Sequence, residues 1–502
     1  MTADREPSRP GRLEDKAVRG VAWTVLVFAG GKIVTFGATL VLARILDPSD
    51  FGLVAIASVT IGLLALFSDL GLGGALVVRK DLTDRAAGTI LTLMLVMGAV
   101  TAVVIAAASP LAAEIFGQPD LTPVLAVLGS TVLLNAPTWF YATILQRELE
   151  FWKRFKCQMA QSLTYASVAI ATALAGAGVW SLVAGQVAGT LVFAGALLVE
   201  APYRVRPSFD RRAARETIED GRGFLAQSGV GFVETKADYM AIGGLLGTAP
   251  LGFYSMAFRI AELPYWAVTE SVAKVTFPGF ARMKHRGENA TASFLSVLRL
   301  VALVACPMGV LLSATADPFT RAIFGEEWVP MIGTLAILAI WGTISNVEAS
   351  LGWLMNSLGR AGLNAGISAV AVVPLVVAIF LAAKYGDIAT VAWVMLAHQV
   401  ACLIARMLAA DRSLAVPLAE QWQAVRPVLA GSVGAWIAGR AVAEALASAG
   451  PWPALAGSAL AGIAVYAALA SAVNPGILRG AVGQFRRILG RRAAPADTPE
   501  ST

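Results

Sequence analysis

Residues 251–280 read LGFYSMAFRIAELPYWAVTESVAKVTFPGF, a run hydrophobic enough to cross a bilayer that still carries Arg259, Glu262, Glu270 and Lys274. On a helix advancing about 100° per residue, these four and Trp266 fall within roughly 120° of one another, which makes one polar face. An ionisable side chain at membrane depth costs about 2.5–3.5 kcal/mol or more unless it meets water, a partner or a substrate. The face is therefore expected to point inward, away from lipid.

Composition fixes the solvent. Of 502 residues, 57% are hydrophobic and 14% charged, and mean hydropathy is +0.69, whereas soluble domains carry about 25% charged residues. Apolar runs of about 20 residues recur between short polar breaks from Val21 to Val473, the signature of a multi-pass membrane protein. The basic balance, 39 Lys and Arg against 33 Asp and Glu, does not call for nucleic acid, because its distribution follows membrane topology. Cys157, Cys306 and Cys402 lack CxxC spacing, and His285 and His398 are far apart, so neither a disulfide framework nor a metal site is expected. No cofactor is called for.

Hydropathy, with breaks at Gly, Pro and charge, predicts six spans near 20–45, 51–76, 87–113, 121–145, 158–178 and 180–202. It predicts six more near 222–246, 252–280, 291–315, 329–357, 364–384 and 388–410, and two further ones near 427–447 and 454–473. The expected organisation is a cytoplasmic tail over 1–19, a first lobe over 20–202, an Arg-rich cytoplasmic linker over 203–221, a second lobe over 222–410, two additional helices within 411–473, and a cytoplasmic tail over 474–502. The fold class is all-α integral membrane, with about 14 transmembrane helices. Bases gather in alternate loops, at Arg79, Lys80 and Arg85, at Arg147, Lys153, Arg154 and Lys156, in the linker, and at Arg282, Lys284 and Arg286. The loops between them, such as AEIFGQPD and AGAGVWS, contain no base, so both termini are expected in the cytoplasm.

Residues 43–57, ARILDPSDFGLVAIA, set above 243–257, GGLLGTAPLGFYSMA, match Leu46 to Leu246, Gly52 to Gly252 and Ala57 to Ala257 at an offset of 246 − 46 = 200. Six spans per half return the second half in the same orientation. The expectation is two six-helix lobes related by a pseudo-two-fold axis along the membrane normal, with two C-terminal helices added.

At these residues the sequence resembles the Wzx-like bacterial polysaccharide exporters and lipid-linked oligosaccharide flippases, within the superfamily that includes MATE drug exporters and lipid II flippases. The segments that carry the resemblance are LARILDPSDFGLVAIA, FSDLGLGGALVVRKDLT, ILQRELEFWKRF, GVWSLVAGQVAGTLV and the opening stretch continued to FARMK. Beyond about residue 415 there is no motif. The resemblance implies a protein of the bacterial inner membrane whose helices 1, 2, 7 and 8 line a central cavity. Its implied activity is alternating-access transfer of an undecaprenyl-pyrophosphate-linked oligosaccharide from the cytoplasmic to the periplasmic leaflet, for exopolysaccharide, capsule or O-antigen synthesis. Membrane lipids and a polysaccharide polymerase and glycosyltransferases of the same pathway are the implied partners.

A diphosphate headgroup wants Lys and fork-shaped Arg donors where water is scarce. Lys32, Lys236, Arg259 and Arg299 are the candidate substrate-binding residues, with Lys32 and Lys236 about midway through the hydrocarbon by helical rise. Glu234 and Asp238, four apart on one helix, repel when both are ionised and are the candidate ion-coupling pair for H+ or Na+. Asp69, Glu262, Glu270 and Lys274 are candidate gate or salt-bridge residues. Glu270 with Lys274 and Arg259 with Glu262 can each be satisfied within one helix, so a structural role stands beside the functional one. Pro137 and Pro264 invite kinks. Trp139, Tyr141, Tyr265 and Trp266 can stack on sugars or simply pack.

A nucleotide-driven pump needs GxxxxGK[ST], and AGGKIVT lacks that spacing. No catalytic residues are expected. The alternatives are a MATE-like ion-coupled exporter of small molecules and a membrane glycan polymerase, which would usually show a large loop bearing metal-binding acids or a base.

Overall fold

A computed structural model describes residues 30–69, 84–148, 150–201, 204–264, 291–414 and 416–473. Among the described residues all regular structure is helical. Eight described helices are long and apolar enough to cross a bilayer, nine if one bent pair counts as a single span, and the chain is an all-α multi-pass membrane protein. α1 (Gly30–Leu42), α2 (Pro48–Asp69), α3 (Asp84–Ile115), the consecutive α4 (Leu121–Ser130) and α5 (Val132–Arg147), α6 (Phe151–Leu174) and α7 (Val179–Glu200) stand where the first six spans are expected. α8 (Arg211–Leu245), α9 (Thr248–Ala261), α10 (Thr291–Ala314), α11 (Ile332–Ser357), α12 (Ala361–Tyr385) and α13 (Ile388–Leu414) follow. α14 (Leu418–Ala445) and α15 (Pro451–Val473) complete the series.

The short loops are closed by glycine chemistry. α3, α6 and α11 end on Gly117, Gly176 and Gly359, with φ of 62°, 82° and 79°. The next residues donate back to the last turn, Gln118 to Ala113 at 2.9 Å, Ala177 to Thr172 at 3.1 Å and Arg360 to Met355 at 2.7 Å. These are left-handed caps that satisfy orphan carbonyls.

α8 begins at Arg211, well before the expected 222. Hydropathy registers only the apolar part of a helix, while Arg and Glu propagate helical turns well. The Asp210 carboxylate accepts the Arg212 N–H at 2.8 Å and caps the start. Half of the expected linker is therefore helical, and α8, at 35 residues, is about 52 Å long against a hydrocarbon core of about 30 Å.

Proline breaks the helices where the missing N–H predicts. The α4–α5 span bends by 40° at Pro137. α9 stops at Ala261 with a turn at Glu262, two residues ahead of Pro264, so the stretch that opened the sequence reading is not one uninterrupted helix. Arg259 lies on α9 and Glu262 in the turn after it, while Trp266, Glu270 and Lys274 lie outside the described residues. In α10, Pro307 leaves the Leu303 carbonyl without its helical donor, and the Tyr466 hydroxyl of α15 donates to it at 2.9 Å. In α3, Pro110 does the same to Ala106, and the Ser109 hydroxyl supplies the donor at 2.8 Å.

The chain forms two compact units. The first comprises Met1–Ile260, Ile323–Leu335 and Gly362–His398, and the second Ala261–Ala322, Ala336–Ala361 and Gln399–Thr502. In the first, Ala87, Ile90, Leu91, Phe140, Ile144, Cys157 and Leu197 gather α3, α5, α6 and α7 on one core. In the second, Phe294, Leu298, Leu351, Ala410, Val428 and Tyr466 join α10, α11, α13, α14 and α15. The two last helices, which carry no sequence motif, approach closely through small residues. A Cβ on Gly434 of α14 would lie 2.2 Å from Leu469 Cδ1 of α15, and one on Gly457 of α15 2.5 Å from Leu446 Cδ1 at the end of α14.

Candidate functional site

The repeat seen in the sequence is a contact in the first unit. A Cβ on Gly52 of α2 would lie 1.8 Å from the Thr248 carbonyl oxygen, and a Cβ on Gly252 of α9 would lie 1.8 Å from the Pro48 carbonyl oxygen. Pro48 and Thr248 are themselves 200 apart, as are Gly52 and Gly252, so the approach is reciprocal. Residues 43–57 and 243–257 meet here across a local two-fold, backbone against backbone, which only glycine permits. Ala57 and Ala257 are both fully buried.

Trp328 seats on this seam. Its side chain is fully buried, and its ring packs edge-on against Phe51 of α2 at 5.5 Å and Phe253 of α9 at 5.8 Å, with Phe324 at 5.6 Å. The indole N–H donates to the Ala43 carbonyl at 2.9 Å, one of the carbonyls left over where α1 ends. Arg44 Nε donates to the Ile323 carbonyl at 2.6 Å, and Gly325, at φ 103°, gives the guanidinium room, since a Cβ there would lie 3.1 Å from Nη1. Residues 323–331, the end of a π turn and the 3-10 turn after it, thus strap the ends of both repeats together.

Of the candidate charges only Arg259 shares a helix with this seam; Lys32, Lys236 and Arg299 lie on α1, α8 and α10. Lys32 is exposed on α1, where Gly30 and Gly31 bring the helix against Phe155, Gln158, Met159 and Ser162 of α6. Arg259 is exposed on α9. Lys236 lies 4.6 Å from the centre of the Tyr239 ring, a cation–π placement. Arg299 is exposed on α10 in the second unit.

The two acids of α8 have separate partners. The Asp238 side chain is wholly buried and accepts the Tyr254 hydroxyl at 2.7 Å and the Tyr239 N–H at 2.8 Å. Tyr239 and Tyr254 also pack with Phe258 in one aromatic cluster, the three ring centres lying 5.9, 5.9 and 6.1 Å from one another. Glu234, half-buried, lies 3.5 Å from Nε2 of His398 on α13. His398 is separated from Glu234 by 164 residues, and no local spacing pointed to it. In the second unit Arg406 of α13 pairs with Glu348 of α11, both largely buried.

Of the candidate gate residues, Glu262 is half-buried at the turn that ends α9. Asp69 is the last residue of α2, and its side chain lies outside the described residues, as do Glu270 and Lys274 entirely. Tyr141 belongs to the core of the first unit, Trp139 is exposed, and Tyr265 and Trp266 lie outside the described residues. Trp328 and Arg44 escaped the sequence reading because the contact joining the strap to α1 spans 285 positions.

Residues 41–333 match the family described as polysaccharide biosynthesis protein. The lipopolysaccharide biosynthesis protein WzxC of Escherichia coli (strain K12) is 24% identical over 360 residues, covering 70% of this chain and 72% of its own length. The succinoglycan biosynthesis transport protein ExoT of Rhizobium meliloti (strain 1021) is 28% identical over 328 residues, covering 64% and 65%. Among solved structures, the lipid II flippase MurJ in an inward closed conformation shares the fold with a TM-score of 0.74 at 12% identity, over 91% of this chain and 99% of that one. The matched segment opens two residues before the Ala43 carbonyl and closes five after Trp328, so it encloses both repeats and the strap that joins them. With more than half of its length matched, the chain belongs to the polysaccharide biosynthesis protein family.

Proposed function

We propose that the chain is a flippase that carries an undecaprenyl-pyrophosphate-linked oligosaccharide repeat unit from the cytoplasmic to the periplasmic leaflet of the inner membrane, for exopolysaccharide, capsule or O-antigen synthesis. The observation that carries this reading is the reciprocal Gly52–Gly252 contact between α2 and α9, the second of which bears Arg259. The base-free turn at 246–247 supports a periplasmic position for that end. A seam closed there, with Arg259 on α9 and with Lys32 and Lys236 on α1 and α8, the helices that precede α2 and α9 in the chain, is the arrangement an alternating-access carrier needs for an anionic headgroup entering from the opposite side. The family, and relatives named for polysaccharide biosynthesis and transport, support the substrate class.

Lys32 and Arg259 receive the diphosphate, Lys236 adds charge beside Tyr239, and Arg299 helps admit the headgroup. Asp238, held by Tyr254, fixes α8 to α9. The coupling role then falls on Glu234, which faces Nε2 of His398 across 3.5 Å. Transfer of a lipid-linked diphosphate glycan in proteoliposomes tests the reading. Lys32→Ala and Arg259→Ala are each expected to lower the rate at least tenfold, and full activity in both would remove them from the site. Glu234→Gln is expected to abolish the response to an imposed proton or Na+ gradient, and a rate indifferent to both gradients in the unaltered protein would exclude coupling.

A further inference from the structure

Between α7 and α8 the chain reads RVRPSFD over 204–210 and continues RRAAR into the helix, five arginines with Asp210 as the one acid in 204–215. Arg204, Arg206, Arg211, Arg212 and Arg215 are exposed, and so is Phe209, at 65%. The segment is pinned in place. Ser208 N–H donates to the Gly88 carbonyl at 3.3 Å, Asp210 N–H to Thr89 Oγ1 at 3.1 Å, and Thr92 Oγ1 to the Ser208 carbonyl at 2.9 Å. Gly88 allows this approach, since a Cβ would lie 2.3 Å from Ser208 Oγ. Val205 packs on the core built by Ala87, Ile90 and Leu91.

Two membrane spans fix the depth. The apolar span of α3 runs over Arg85–Ile115 and that of α7 over Val179–Glu200, so a segment bonded to Gly88, Thr89 and Thr92 lies within about 10 Å of the start of the first. That is the boundary between headgroups and acyl chains. Trp152, 55% exposed at the start of α6, and Lys156, paired with Glu200 at 2.5 Å, belong to the same end of the helices. An exposed phenyl ring between arginines at this depth suits neither bulk water nor hydrocarbon alone. It suits an interface.

We propose that the docked segment 204–215 is a binding surface for the anionic phospholipid headgroups of the leaflet in which it lies. Arginine forks take the phosphate oxygens while Phe209 enters the first methylenes. The inference rests on the membrane-spanning fold and not on the identity of the transported glycan.

The test is retention of phosphatidylglycerol by the full chain purified from mixed phosphatidylcholine and phosphatidylglycerol bilayers, read by native mass spectrometry. Each Arg→Gln change at 204 or 206 is expected to weaken retention about fivefold, the factor for a base contributing about 1 kcal/mol near an anionic surface, while Arg204→Lys with Arg206→Lys keeps most of it. A bimane label on Phe209→Cys is expected to be quenched by headgroup-proximal nitroxide lipids. Unchanged retention in the glutamine variants, equal loss in the lysine variant, or an unquenched label would each overturn the proposal. So would displacement of phosphatidylglycerol by farnesyl diphosphate, which would make the surface part of the substrate route. None of these readouts depends on transport.

Discussion

Single side chains repair what proline and helix ends leave open. Leu303 loses its donor to Pro307 four residues on, and Tyr466 restores it from a different helix. Tyr466→Phe keeps the ring and removes only that hydroxyl, so it is expected to cost about 1 kcal/mol, seen as a lower midpoint of thermal unfolding in detergent. Trp328→Phe is the parallel case at the seam. It keeps the ring contacts with Phe51 and Phe253 but strands the Ala43 carbonyl, again at about 1–3 kcal/mol. The two differ in how far the sequence foretold them. Pro307 announces an orphaned carbonyl, but nothing local names a donor 163 residues away. Glu234 and His398 are invisible as a pair for the same reason. The matched glycines at 52 and 252 were legible, because a repeat places its own partner.

Elements were the most legible scale, since a bilayer imposes a length of about 20 apolar residues and hydropathy measures that directly. α10, α12, α13 and α15 fall within a few residues of their expected spans. The differences lie where helices continue into polar sequence, as at Arg211 in α8 and Leu418 in α14, and where proline interrupts an apolar run, as after Ala261. The start of α13 shows what a polar end contributes. Asp387, outside the spans, accepts the Thr390 N–H at 2.8 Å and hydroxyl at 2.7 Å, and these bonds hold its carboxyl below the usual carboxylate range. Asp387→Ala is expected to cost about 0.5–2 kcal/mol at neutral pH. Because the folded value is depressed, this stabilisation is complete above the ordinary value of about 3.9 and disappears as pH falls through the lowered one. The unfolding midpoints of parent and variant are therefore expected to differ at pH 7 and to converge in acid. A gap that persists at low pH would assign the loss to packing instead.

For the whole molecule, a carrier must open the end at which its repeats touch. Gly52 and Gly252 meet so closely that no larger residue fits without parting α2 from α9, and this makes the seam a place where a small change in volume decides which state is populated. Gly52→Leu introduces four carbons where a Cβ alone would already stand 1.8 Å from the Thr248 carbonyl. If the seam is the periplasmic closure, the variant folds with this end held apart. A cysteine placed by Thr248→Cys, half-buried in the parent, is then expected to react with a membrane-impermeant maleimide at least tenfold faster from the periplasmic side, while transfer of the lipid-linked glycan stops. Loss of transport with unchanged labelling would mean that the glycines merely pack. Rapid labelling in the parent would mean that the seam is already open in the membrane. Slow labelling that quickens in Gly52→Leu and again when lipid-linked substrate is added to the parent is the pattern that alternating access requires, because the substrate must then do reversibly what the leucine does permanently.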